Sequence, residues 1–307
     1  MNPMRRSGVG NIRRDGQAAP VTEFLMNGGL TLKLSRWFLS VAVVLILALP
    51  SLAQDKSAED LAKAAQNPIA AMISVPFQFN TTFNYGIDSL QKRDTQYLMN
   101  IQPVIPITLN EHWNLISRTI VPVISQPLPV GDASPIGGIA NIQETLFFSP
   151  SKPSKVIWGA GPVLQIPTAT NHMLGSSKWS GGPGFVILTM PGKWVIGALA
   201  QNVWSFAGPS GEKSVNQFLL QYFINYNLPK GWYISSSPII TSDWTQPDSK
   251  DKWTVPFGIG AGKIMRWGKQ PVNLMLQYYY NAIRPTGTVP SGPYTIRFQM
   301  QFLFPKK

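Results

Sequence analysis

From Ile73 to Phe304 the chain reads as about twelve short segments whose side chains alternate in polarity, and the connections between them are alternately short and long. Successive side chains of a strand point to opposite faces. In the last segment Ile296, Phe298, Met300, Phe302 and Phe304 therefore share one face, and Thr295, Arg297, Gln299 and Gln301 share the other. The first segment repeats the pattern, with Val75, Phe77, Phe79, Phe83 and Tyr85 set against Gln78, Asn80, Thr82 and Asn84. One such strand would also suit a soluble sandwich, so the constraint lies in the whole set. The segments fall near 74–85, 95–107, 112–123, 139–149, 155–167, 178–190, 193–206, 214–228, 231–243, 252–264, 271–283 and 293–304. The connections at Asn110-Glu111, 150–153, Pro191-Gly192, 229–231 and 266–268 are short. Those near 86–94, 125–138, 168–177, 207–213, 244–251 and 284–292 are longer and more polar. An even number of roughly ten-residue strands with this alternation is the pattern of an antiparallel up-and-down transmembrane β-barrel, with short turns periplasmic and long loops outside.

Tryptophan placement agrees. Trp113, Trp158, Trp194, Trp232 and Trp267 sit beside short turns, whereas Trp179, Trp204, Trp244 and Trp253 sit near long loops. Amphipathic rings collect at the two membrane interfaces. One stretch reads two ways: Val215, Phe218, Leu219, Tyr222, Phe223 and Tyr226 fall at helical spacing, yet the same residues also alternate. A strand is expected there, because an odd count would reverse the loop lengths downstream. The glycines of 159–161 and 258–262 lie at period two with no following helix. They read as small residues packing inside a barrel rather than as phosphate loops.

A different signal precedes the barrel. Trp37 to Leu49 is apolar, follows Lys33 and Arg36, and leads to Pro50-Ser51-Leu52-Ala53. This is the form of a secretory signal, with cleavage expected after Ala53. Residues 1–25 look like an over-called start, with Met26 the candidate true start. The expected organisation is 1–53 signal with extension, 54–72 a periplasmic segment and 73–307 the barrel. In the middle part, Ser57 to Gln66 reads as a short helix capped by Ser57 and ended by Asn67-Pro68. Beyond Gln54 the longest run without Gly or Pro is 212–228, and its Gln and Asn residues exclude a spanning helix. Cysteine is absent, which excludes a disulfide scaffold and a cysteine zinc site. Charged residues are 13% of the chain, and beyond Ala53 there are 20 basic and 12 acidic residues, with no basic stripe to suggest nucleic acid.

The chain resembles a family of outer-membrane transporter-like proteins named after the meta-pathway of phenol degradation, some of whose relatives are labelled neuromedin U. The residues that carry the resemblance run from Asn100 to Pro106, Trp113 to Thr119, Trp158 to Pro162 with 167–170, and Lys178 to Pro183. They continue at Lys252 to Pro256 with Gly258 and Gly260, Gly268 to Asn273, and Phe302 to Lys306. The resemblance implies a twelve-stranded barrel in the outer membrane of a Gram-negative bacterium. By the family's name alone it implies passage of hydrophobic or aromatic compounds. It carries over no catalytic or binding residues.

An enzyme is not expected. The histidines beyond the signal, His112 and His172, fall in a lower turn and an outer loop, away from any strand serine that a base must reach. Asp243, Asp248 and Asp251 are close in sequence but read as a solvated loop face, so no metal or cofactor is expected. Function is placed in the lumen. By parity the channel-lining residues are Asn100, Gln102, Arg118, Gln217, Gln221, Gln277, Arg297, Gln299 and Gln301, with Glu144 added as a carboxylate partner for Arg118 or Arg297. Many amides and few charges suit a small neutral or weakly polar solute. The expected function is a passive channel; the alternative is a structural or adhesive barrel. A plug would come from loop 125–138 or segment 54–70. Expected partners are membrane lipids, the solute and the barrel-assembly machinery.

Overall fold

A computed structural model describes residues 58–90, 92–128, 134–152 and 154–305. The expected export signal, Met26 start and Ser57 cap lie outside the described residues. One helix, α1 (Ala58–Gln66), leads into the barrel. The strands are β1 (Ile73–Tyr85), β2 (Asp94–Ile101 and Val104–Thr108), β3 (Trp113–Gln126), β4 (Ile136–Ile139 and Ile142–Pro150), β5 (Val156–Ile166) and β6 (Trp179–Thr189). They continue with β7 (Trp194–Ala207), β8 (Asn216–Asn227), β9 (Trp232–Ser236 and Ile239–Asp243), β10 (Trp253–Trp267), β11 (Gln270–Ile283) and β12 (Tyr294–Phe304). Each pairs antiparallel with its sequence neighbours, and β1 closes on β12 in the register Ile73↔Phe304 to Phe83↔Tyr294. The result is a closed twelve-stranded barrel. No described helix is long and apolar enough to cross a membrane.

The breaks inside strands have local causes. Proline removes an amide from the ladder, and β2 is interrupted at Gln102-Pro103 and β9 at Ser237-Pro238. Parity survives both breaks. It does not survive the end of β1, where the pairing with β2 shifts between Thr82 and Tyr85 and Asn84 takes a left-handed φ of 52°. The bulge turns Tyr85 into the lumen, so the expectation that it shares the outer face with Phe79 and Phe83 is corrected. The stretch with two readings is strand β8, because its alternation buries Phe223 and Asn225 inward while Ile224 stays outside.

Outward faces are apolar. Phe185, Ile187, Phe257, Ile259, Leu276, Tyr278, Ile296 and Phe298 are each more than a third exposed. The tryptophans form two groups. At the short-turn end Trp113 packs edge-on against Trp158 at 6.0 Å, and Lys263 lies over Trp232 at 4.8 Å. At the other end Trp244, Trp253 and Phe218 cluster, and the Trp244 indole N–H donates to Asn202. A ring that faces lipid with a polar edge toward headgroups explains both belts.

The core lies inside the barrel rather than between layers. At the short-turn end the inward residues Val104, Ile116, Phe147, Val186, Leu188, Val195, Leu199 and Phe223 enclose Ile69. Beside them Leu61, Ala62 and Met72 pack on Ile264 and Leu303. The segment 58–72 is therefore held in the lower mouth by its apolar face. Gln66 also exchanges hydrogen bonds with Asn227, and Gln301 donates to the Ala65 carbonyl. Of the two plugs expected from sequence, this is the one that fills the lower end; 129–133 of the other lie outside the described residues.

Candidate functional site: an amide-lined lumen in two cavities

Above the plug the lumen holds two cavities. The lower, of about 240 Å³, is floored by Ala65, Gln66, Asn67 and Pro68. The upper, of about 580 Å³, reaches the long loops. They meet at a level lined by Gln78, Asn100, Gln143, Gln201, Leu219 and Ile239, which border both. Asn100 borders both cavities, Gln102, Arg118, Gln221, Gln299 and Gln301 line the lower, and Gln217 and Arg297 line the upper. Gln277 is buried against the wall and donates to the hydroxyls of Ser235 and Ser237, both at 3.0 Å.

That last contact depends on glycine. Strand β10 lies between β9 and β11, and its inward positions Gly258, Gly260 and Gly262 carry no side chains. Tyr279, Gln277 and Tyr233 lie across this column, where a Cβ at each glycine would collide with them. Tyr233 thereby reaches Asn273 at 2.7 Å, and the Ser237 amide reaches the Tyr279 hydroxyl at 3.2 Å. Arg297 completes the cluster. Its guanidinium donates to Asn80 Oδ1 and the Ser237 carbonyl, each at 2.9 Å, and stacks on Tyr279 at 4.9 Å. It is a brace that ties β12 to β9 over two intervening strands. On the opposite wall Gln201 and Gln143 exchange hydrogen bonds of 2.8 and 3.4 Å across β5 and β6.

Glu144 is not in the lumen. Gln143 and Thr145 point inward, so Glu144 points out, beside Thr119, its partner in register. Its carboxylate accepts from Ser117 Oγ at 2.6 Å and from Thr119 Oγ1 at 2.5 Å. The ion pairs expected with Arg118 and Arg297 are therefore corrected: the sheet stands between the groups. Arg118 instead donates to Gln102 at 2.8 Å. Thr119 stands six positions beyond Trp113, which with strand rise and tilt is about 15 Å into an apolar band about 25 Å tall. A test of the lipid face follows. Phe298→Arg should destabilise the barrel by about 2–4 kcal/mol, the cost of a mid-depth cation. Glu144→Leu should leave stability unchanged or raise it. Urea unfolding in vesicles measures both, and a costly Glu144→Leu would return that carboxylate to the interior.

The long loops over the upper cavity are tied together by carboxylates. Asp88, in the β1–β2 loop, pairs with Arg284 through two bonds of 2.8 and 3.1 Å and with Arg93 at 2.9 Å. Asp251 is not on a solvated loop face as expected; it is only 4% exposed. It accepts from the amides of Gly287 at 2.7 Å and Thr288 at 2.8 Å, clamping the β11–β12 loop. Asp243 is occupied by Thr245 and Gln246, and Asp248 by Lys250. Among the described residues no three potential ligands gather for a metal. Hydrogen bonds from Arg284 hold the Asp88 carboxyl below the usual carboxylate range, and the Thr288 and Gly287 amides do the same for Asp251 against the opposing effect of burial. A depressed carboxyl stabilises the fold above its unfolded pKa, and that stability is lost as pH falls through the folded pKa. The loops should therefore keep their protection from neutral pH down to about 4 and lose it only below. Hydrogen exchange at Gly287 and Thr288, corrected for intrinsic rate, checks this; loss near pH 6 would contradict it.

Parity within single strands reveals most of the lining residues. It gives no means of choosing between the adjacent Gln143 and Glu144, and it says nothing of which residues meet across intervening strands. Gln143, Gln201 and Tyr233 escape the sequence reading for that reason, whereas Tyr279 falls by parity on the polar face of its strand with Asn273, Gln277 and Asn281. His112 and His172 lie in the β2–β3 turn and the β5–β6 loop.

No protein-family profile matches the chain, and no curated protein matches it. Solved structures do. An outer membrane channel from Pseudomonas putida F1 superposes with a TM-score of 0.56 at 16% identity, over 76% of this chain and 94% of the other. The NanC porin follows at 0.46 and 8% identity, over 76% and 99%. The outer membrane phospholipase A of Escherichia coli gives 0.39 and 12%, over 76% and 92%. The first of these likenesses, at 16% identity, bears on fold alone: the chain has the fold of an outer-membrane β-barrel.

Proposed function

We propose that this protein is an outer-membrane channel of a Gram-negative bacterium that passes small solutes by passive diffusion. The observation that carries this reading is the pair of cavities, lined in large part by amides and hydroxyls and bordered by a shared level of wall residues, inside a closed barrel. A barrel with a purely structural task gains nothing from an unfilled polar interior, since each buried amide must find a partner. Mixed amide and apolar lining suits small solutes of low charge, and the family resemblance points to hydrophobic or aromatic ones. On this reading 54–72 is the periplasmic N-terminal segment, whose part from Ala58 plugs the lower mouth, and 73–307 is the channel, delivered by a signal cleaved after Ala53.

The second reading is a structural or adhesive barrel, favoured by the plug in the lower mouth. Planar-bilayer recording together with solute uptake into proteoliposomes separates the two. Steady conductance and uptake of small neutral solutes are expected of the channel. Folded protein that passes neither ions nor solutes would leave the structural barrel.

A further inference from the structure

The two lumen arginines differ in how they are satisfied. Arg297 is 6% exposed, bonded to Asn80 and Ser237 and stacked on Tyr279. Arg118 is half-buried, and its hydrogen bond is to Gln102. Among the described residues lining the lower cavity it is the sole charged side chain. The nearest carboxylate in register, Glu144, projects from the other side of the wall. A cation withdrawn from water without a counter-charge is costly. A guanidinium with spare donors in a fork matches a carboxylate in particular. The same cavity is lined by the half-buried Ile120, Leu219 and Ile239, so it offers an apolar surface beside the cation.

We propose that the lower cavity is a binding site for a small organic carboxylate, with its head on Arg118 and its compact apolar body against Ile120, Leu219 and Ile239. At about 240 Å³ the site takes one such molecule, directly above the plug residues Gln66 to Pro68. A bare inorganic anion would satisfy Arg118 but leave the apolar lining unused. The proposal rests on the channel reading only for the ligand's route into the cavity.

The test compares two isosteres on the folded full-length barrel in detergent: cyclohexanecarboxylate and the neutral cyclohexylmethanol, with chloride and inorganic phosphate as anion controls. Calorimetric titration should show the carboxylate binding at least about tenfold more tightly than the alcohol, the preference expected of a charge-assisted hydrogen bond. Arg118→Gln should abolish that preference, and Arg118→Lys should weaken it while keeping the sign. Lys269→Gln, at the exposed β10–β11 turn, should leave it unchanged. Equal affinity for carboxylate and alcohol in the wild type overturns the proposal without recourse to any variant. So does a carboxylate preference that survives in folded Arg118→Gln, and so does phosphate binding as tightly as the carboxylate. Carboxylate binding in a barrel that conducts nothing would sink the channel reading alone. Conductance without that binding would sink the site alone.

Discussion

Deleting Ala58 to Pro68 should give a barrel that folds and conducts more than the full chain does. The plug touches the wall through a small apolar cluster, Leu61 and Ala62 with Met72, Ile264 and Leu303, and through a few amide bonds. Its removal leaves all strand pairs in place, including the β1–β12 closure that begins at Ile73. Eight-stranded barrels are filled by their side chains and sixteen-stranded ones leave a channel. At twelve strands the outcome depends on the inward residues, and above the plug these leave two cavities. The cluster at Ile264 and Leu303 would lose Leu61 and Ala62, so thermal stability should fall somewhat. Single-channel recording measures the opening. If the shortened barrel folds and stays silent, the lumen itself is closed at the level of Gln143 and Gln201, and the plug is only a cork on a sealed cylinder.

Gly260→Val should severely damage the wall. A Cβ there would run into the Leu276 carbonyl oxygen and stand 2.6 Å from Gln277 Cα, and backbone has nowhere to move in a closed sheet. Its side chain would also displace Gln277 from Ser235 and Ser237. Overpacking alone costs about 1–3 kcal/mol, and orphaning a buried amide adds about 1–3 kcal/mol. Heat-modifiable mobility should be lost or sharply lowered. Gly268→Ala, at a short turn with nothing near its Cβ, shows what a tolerated site does, apart from the modest strain of its φ of 61°. A Gly260→Val barrel as stable as the wild type would mean that β9 and β11 do not meet across β10.

Sequence alone determined the architecture. Period-two alternation in Thr295–Phe304 and its counterparts sets which side of each strand meets lipid, because a strand has only two faces. The alternating lengths of the connections fix the strand count and the end at which the termini lie. Tryptophans beside the short turns mark one membrane interface for the same local reason. Tertiary structure decided what a two-face rule leaves open. The bulge after Thr82 turned Tyr85 inward, since one inserted residue reverses parity. Register decided that Gln143 faces the lumen and Glu144 the lipid, where adjacent polar residues gave no preference. Closure of the barrel set Arg297 against Ser237 and Gln201 against Gln143, pairs separated by whole strands and therefore invisible to any local pattern. It also brought segment 58–72 into the lower mouth, because the apolar faces of that short helix and of Ile69 are buried only once twelve strands enclose them.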